Sequence, residues 1–218
     1  MERFFILDNF NTWYNWRLIL TGKEITPPEP KTYNVEIDGR SGSLDLSEAL
    51  TGEITYNDRT ISASFWTDYG TYKERAKLLR DIRTAIHGKK IKIIEPDDPT
   101  HYFIGRIKIK AEKNIIPYAE FSIEATCEPW RYSLEDTERI VEVNGQTVTD
   151  VVINNNGVKT LSPVIRITGT VNIIYNGVTT TLTDGDYKIS DIKLRQGVNI
   201  IGVSGTGSAT FLYKEAEL

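Results

Sequence analysis

The chain has 218 residues, 39% of them hydrophobic and 26% charged, with a formal charge of -4 and a mean hydropathy of -0.32. That is the composition of a soluble globular protein and excludes a fibrous or disordered one. A pI near 5.4 argues against a protein that works by non-specific attraction to nucleic-acid phosphates. With one cysteine, Cys127, no intrachain disulfide is possible, and with His87 and His101 as the only histidines a zinc cluster lacks ligands.

The N-terminal Met-Glu-Arg-Phe-Phe-Ile-Leu-Asp holds an apolar run of four, too short for a secretory signal. No later stretch approaches the roughly 20 apolar residues of a membrane span, so the expectation is a soluble protein that starts life in a cytoplasm, with no membrane partner. The aromatic cluster Phe4, Phe5, Phe10, Trp13, Tyr14 and Trp16 reads as an N-terminal element packed on a core or on a neighbouring subunit. The Pro-rich connector Thr26-Pro-Pro-Glu-Pro30 follows. Period-two alternation then predicts strands at Tyr33–Ile37 and Ile61–Phe65.

One helix is predicted. Thr71 and Glu74 form a capping-box pattern. Tyr72, Ala76, Leu79, Ile82 and Ile86 recur on one helical face, and Gly88 supplies the stop after His87 in the last turn. Lys73, Arg75, Lys77, Arg80 and Arg83 are expected on the other faces. Strands resume at Ile91–Ile94, then at Phe103, Gly105, Ile107, Ile109 and Ala111 as one buried face. Ala119–Ala125 gives the cleanest alternation, with Ala119, Phe121, Ile123, Ala125 and Cys127 inward.

The chain changes character near residue 133. Residues 1–133 hold all four tryptophans, seven of eight prolines and a net charge of -1; residues 134–218 are rich in Thr, Asn, Val and Gly and carry -3. A composition break of this kind marks a domain boundary. The second part predicts eight short strands: Ile140–Val143, Val148–Ile153, Val164–Ile167, Val171–Tyr175, Val178–Leu182, Tyr187–Ile189, Val198–Val203 and Thr210–Tyr213. Asn144-Gly145, Asn176-Gly177 and Asp184-Gly185 carry the hairpin-turn signal between them. A small β-sandwich is the expectation.

Patterns that carry chemistry are weak. Cys127 and His101 are nominally a thiol–imidazole pair, but Cys127 continues a buried strand face. Asp97-Asp98 beside His101 lacks cation-loop spacing and sits between Pro96 and Pro99. Asp184-Gly-Asp186 offers glycosidase carboxylates, yet Asp-Gly is a common turn. The glycine-rich 202–207 segment opens no helix, and no phosphate-binding loop is present. A hydrolase or metal enzyme is therefore the weakest reading; no catalytic residue, metal or cofactor is assigned.

The order of motifs is more telling. Asp38-Gly-Arg-Ser-Gly-Ser-Leu-Asp-Leu-Ser47 is followed by Leu50-Thr-Gly, by Ile54-Thr-Tyr-Asn-Asp-Arg-Thr-Ile61, by the helix ending Ile86-His-Gly88, and by Cys127-Glu-Pro-Trp-Arg-Tyr132. Over residues 1–133 this resembles the N-terminal domain of the distal tail protein (Dit) family of long-tailed phages and related prophages. Asn155-Asn-Gly157, Ser162-Pro163 and Leu194–Val203 place residues 134–218 beside the family's C-terminal domain. The resemblance implies a mainly β fold: an N-terminal β-sandwich or split-barrel ring domain with one packed helix (1–133), then a small galectin-like or jelly-roll-like β-sandwich (134–218). It implies a non-enzymatic hub at the virion tail tip, a homo-hexameric ring through which DNA passes without specific binding. The partners implied are the tail tube (major tail) protein and a tail-associated lysin, fibre or receptor-binding protein.

A cyclic ring needs two different patches on each subunit. Candidates are the loop residues Asp38, Gly39, Arg40, Gly42, Leu44 and Asp45, the N-terminal Trp13 and Trp16, and the basic helix face of Lys73, Arg80 and Arg83. The competing expectation is a carbohydrate-binding adhesin whose C-terminal sandwich holds sugar on Tyr175, Tyr187 or Tyr213.

Overall fold

A computed structural model describes residues 4–218; Met1–Arg3, the start of the N-terminal run read above, lie outside them. The chain forms two compact units, dividing between Arg131 and Tyr132, with Leu218 returning to the first. The fold is mainly β with one helix.

In the first unit the strands are β1 (Ile6–Leu7), β2 (Phe10–Asn11), β3 (Ile19–Ile25), β4 (Asn34–Val35), β5 (Leu44–Asp45) and β6 (Arg59–Thr67). After helix α1 (Tyr72–Ile86) come β7 (Lys90–Ile94), β8 (His101–Asn114) and β9 (Ala119–Cys127). They pair in the order β2-β1-β7-β8-β9-β6-β3, antiparallel throughout, while β4 and β5 make a separate two-stranded ribbon. The inward face of β9 is buried as its alternation requires, opposite Ile61, Ala63 and Phe65 of β6. Phe5, Leu7, Leu18, Ile93, Phe103 and Ile107 complete one apolar core.

Helix α1 begins on the expected cap. The Thr71 hydroxyl accepts from the Glu74 amide, and the Glu74 carboxylate accepts from the Thr71 amide at 2.6 Å. Leu79, Ile82 and Ile86 face the core, and Gly88 has the positive φ of a helix stop. The first turn departs from the expected stripe. Tyr72 is exposed, and the buried position belongs to Arg75, whose guanidinium donates to the carbonyls of Gly70 and Ile115 and to Asn114 Oδ1. Those bonds let a charged side chain occupy an apolar position. Ala111 is likewise exposed rather than inward. A bulge between Ile109 and Ala111 shifts the β8–β9 register and turns the face over.

Strand β10 (Arg131–Ser133) carries the chain into the second unit, which holds β11 (Thr137–Asn155), β12 (Val164–Tyr175), β13 (Val178–Leu182), β14 (Gly185–Lys188), β15 (Gly197–Tyr213) and β16 (Ala216–Glu217). The main sheet runs β11-β15-β12-β13, with β14 also on β12. Six of the eight short strands expected from the sequence thus merge in pairs into β11, β12 and β15. Asn176-Gly177 is a tight hairpin, both residues at positive φ between paired Tyr175 and Val178. Asn144-Gly145 is not: β11 continues through it, paired with β15, with an irregularity between Gly145 and Thr149. Asp184-Gly185 is not a hairpin either. β13 and β14 follow one another along β12, and Asp184 fills the interruption by accepting from the Gly169 amide at 2.8 Å.

Close approach of two strands accounts for Gly207 in β15. A Cβ at Gly207 would stand 1.9 Å from the Thr168 carbonyl oxygen, so only glycine lets β15 lie this close to β12 at the Gly169–Gly207 pair. Around it Val151, Ile153, Ile165, Val171, Ile173, Ile201, Val203 and Phe211 form the second core.

Candidate functional site

The first unit projects an arm. Its stem opens at Thr26, whose amide and hydroxyl donate to the Thr60 carbonyl while the Thr60 amide donates back to Thr26 Oγ1. Prolines 27, 28 and 30 keep the outgoing chain extended. The returning chain is held beside it by Lys31 N to Thr55 O and Asn57 N to Glu29 O, both 2.8 Å. Beyond, β4 and β5 pair through Val35 with Leu44 and Asn34 with Asp45. Ser47 donates to Asp45 through its hydroxyl and its amide, and these bonds hold the Asp45 carboxyl below its ordinary pKa. The tip is Glu36–Ser43.

No residue from 27 to 58 is buried. The arm is nonetheless apolar in part: Leu50 is 100% exposed, Tyr33 64% and Ile37 45%. Such side chains on a limb without a core have no folding role to explain them. The loop candidates Asp38, Gly39, Arg40, Gly42, Leu44 and Asp45 all lie on this arm.

The other candidates lie elsewhere. Trp13 is half-buried, with the Arg17 guanidinium 5.5 Å from its ring centre. Trp16 is only 6% exposed and stacks on Phe10 at 5.1 Å inside the first core, which leaves it no open face. Lys73 and Arg80 are exposed on α1, whereas Arg83 grips Glu112 of β8 with two donors. In the second unit Tyr213 is nearly buried and its hydroxyl donates to the Asn154 carbonyl. Tyr175 donates to the Lys193 carbonyl, and Tyr187 packs half-buried against the second core.

The residues weighed for chemistry are engaged structurally. Cys127 is buried, and burial pushes its thiol up to about 12. His101 Nδ1 meets Asp98 at 2.9 Å, and Asp98 also receives Arg131 at 3.1 Å. Asp97 pairs with Lys23 at 2.9 Å. Asp186 is bidentate with Arg166, at 2.8 and 3.1 Å. His87 Nδ1 accepts from the Ile109 amide. Among the described residues no group of three or more His, Cys, Asp or Glu is arranged to hold a metal, and no helix is long and apolar enough to cross a membrane.

Sequence reasoning missed two features. Tyr56 and Trp130, each inside a motif quoted above, meet edge to face at 5.7 Å. Lys23 joins Glu95 and Asp97 near Arg59, and no local pattern marks Lys23 as part of that group.

No family model matches the chain, and no curated protein matches its sequence. Among solved structures, the Dit protein (gp 19.1) of phage SPP1 superposes with a TM-score of 0.71 over 99% of this chain and 99% of its own, at 14% identity. This is the fold of a phage distal tail protein. SPP1 Dit is described as a paradigm of the hub adsorption apparatus in phages that infect Gram-positive bacteria. In the present chain the Dit fold comprises a first unit with its curled antiparallel sheet, one helix and coreless arm, followed by a second unit built on the β11-β15-β12-β13 sheet.

Proposed function

We propose that this chain is a structural hub protein of a phage tail tip: it assembles into a hexameric ring, joins the tail tube to the adsorption or fibre proteins, and lets DNA pass through its channel. The observation that carries the reading is the match to SPP1 Dit along essentially the whole of both chains. In this reading residues 1–133 form the ring and 134–218 the outward domain, and the protein acts through surfaces rather than catalysis. Its place is the virion tail tip after synthesis in a host cytoplasm.

The arm supports the reading. Ring closure requires head-to-tail contact between unlike patches, and a 32-residue limb with exposed Tyr33, Ile37 and Leu50 suits reaching a neighbour. The loop from Asp38 to Asp45 and the open helix side of Lys73 and Arg80 are the two patches proposed. A first part with net charge -1 suits a channel that passes DNA without gripping it, because binding strength grows with the number of phosphates neutralised.

Light scattering across a concentration series, with negative-stain images of each peak, tests the proposal. Six copies of the 24.7 kDa chain give about 148 kDa, and rings should be visible at that mass. A monomer at every concentration, alone and with the tail tube protein present, overturns it.

A further inference from the structure

The charges of the first part are divided by sign. The arm, residues 27–58, carries seven carboxylates against Lys31 and Arg40, a net charge of -5. Residues 1–133 total -1, so the remainder of that part carries +4. All seven arm carboxylates are exposed. Glu36, Asp38 and Glu48, at and beside the tip, form no ion pair with any described residue.

The opposite sign is concentrated on α1. Lys73, Lys77 and Arg80 are exposed and recur at steps of four and three, one stripe of the helix, where like charges repel one another. None of the three forms an ion pair with a described residue, and Asp81 flanks the stripe. On the sheet, by contrast, Lys90, Lys110 and Lys113 each meet a carboxylate, at Glu128, Glu124 and Glu120. The start of the stripe adjoins an apolar corner. Arg75 binds the carbonyls of Gly70 and Ile115 and the Asn114 side chain, which in turn donates to the Tyr72 carbonyl. These bonds lock the loop before α1 to the turn between β8 and β9, and leave Tyr69, Tyr72 and Ile116 exposed there.

We propose that the acidic arm of one copy lies along the Lys73–Lys77–Arg80 stripe of the next, with its exposed Tyr33, Ile37 and Leu50 against the corner of Tyr69, Tyr72 and Ile116. This pairing presupposes the ring proposed above and gives the arm its seat. The occupant is a second copy because each chain carries both surfaces, unlike each other and complementary, as head-to-tail closure requires. Three unpaired carboxylates on the arm match three unpaired cations on the helix. The exceptions also match in sign: Arg40 at the tip and Asp81 beside the stripe.

The test is charge reversal in the full chain, read as mass by light scattering over a concentration series. One variant reverses the arm (Glu36→Lys, Asp38→Lys, Glu48→Lys) and the other the helix (Lys73→Glu, Lys77→Glu, Arg80→Glu). Each alone should associate roughly tenfold or more weakly than the parent, since three exposed pairs become three repulsions. An equal mixture of the two should regain the parent mass. Reversed arms then meet reversed helices and native arms meet native helices, in alternate positions around the ring. The pairing is overturned if either variant associates as the parent does, or if the mixture stays dissociated while both variants melt like the parent. Should a triple variant fail to fold, the parent decides: its mass transition should move to higher concentration between about 50 and about 500 mM NaCl, and an unmoved transition overturns the pairing. A parent that is monomeric throughout overturns the ring reading and this pairing with it, whereas a parent ring indifferent to reversal and salt overturns the pairing alone.

Discussion

Replacing Leu50 and Ile37 together by serine separates assembly from folding. Both lie on the arm, where nothing is buried. Leu50 is fully exposed and Ile37 close to half exposed, so the isolated subunit loses little when they go; surface changes of this kind fall within about 0.5 kcal/mol. In a ring that seats the arm on a neighbour the same two side chains leave water. Burying one Leu or Ile is worth about 1.5–3 kcal/mol. The partial burial of Ile37 already present removes some of that, so about 3 kcal/mol per contact is a fair sum for the pair. At 1.4 kcal/mol for each factor of ten, that is roughly a hundredfold weaker association at every contact. The assay is the mass by light scattering over a hundredfold range of concentration, alongside thermal melting of the dissociated chain. The expected result is a mass transition displaced to higher concentration with an unchanged Tm. A variant that keeps the parent mass at every concentration refutes the arm as a contact. A variant whose dissociated form melts well below the parent refutes the claim that these residues have no part in folding.

Three further outcomes follow from the interior and its edges. Ile82→Ala empties a fully buried position between α1 and the sheet and should cost about 2–5 kcal/mol, read as a lower urea midpoint at constant slope; a loss below about 1 kcal/mol would mean that the helix is not seated on that core. Cys127, buried and pushed up to about 12, should resist iodoacetamide at pH 8 in the native protein and react readily in urea, and equal rates in the two states would contradict its burial. Burial acts to raise the Asp98 carboxyl, but hydrogen bonds from Thr100 and His101 outweigh it and hold it below its ordinary value of 3.8. The native state then prefers the ionised form, so this contribution is present above pH 3.8 and is lost as pH falls through the lower folded value. Asp98→Asn should flatten the acid limb of the Tm–pH curve, and an unchanged limb would show that the carboxyl is not held in this way.

What the sequence reveals of the fold depends on how local the cause is. The capping box, Leu79, Ile82 and Ile86, the alternation of β9 and the Asn176-Gly177 turn are each fixed by neighbours within a few residues, and each is legible. The misreadings arise where a distant strand decides. Asn144-Gly145 has hairpin chemistry, but β15 continues to pair on both sides of it and carries β11 straight through. Gly207 belongs to a glycine-rich run with no local reason for it, and its reason is a carbonyl 39 positions earlier in the chain. Arg75 sits at an apolar position because the Asn114 side chain and the Ile115 carbonyl, from a distant segment, meet it there beside the local Gly70 carbonyl. Ala111 leaves its face because one extra residue enters β8.

The same distinction governs the surfaces. The arm's turn residues and prolines are visible in sequence, but that the whole segment lacks a core is not. Tyr33, Val35, Ile37, Leu44 and Leu46 alternate in part as residues of a half-buried strand do, and only the absence of a second layer over them leaves them half-buried or exposed. Periodicity reports which face of an element is apolar and says nothing of what covers it. Where the covering is missing from the subunit itself, the apolar face is satisfied by association or left in water. Leu50, fully exposed at a turn with Thr51 and Gly52, is costly to leave in water and of no use to the subunit's own stability. An arm held together by backbone hydrogen bonds gains order when such side chains are covered from outside, and in the ring proposed above the neighbouring subunit is the partner that would cover them.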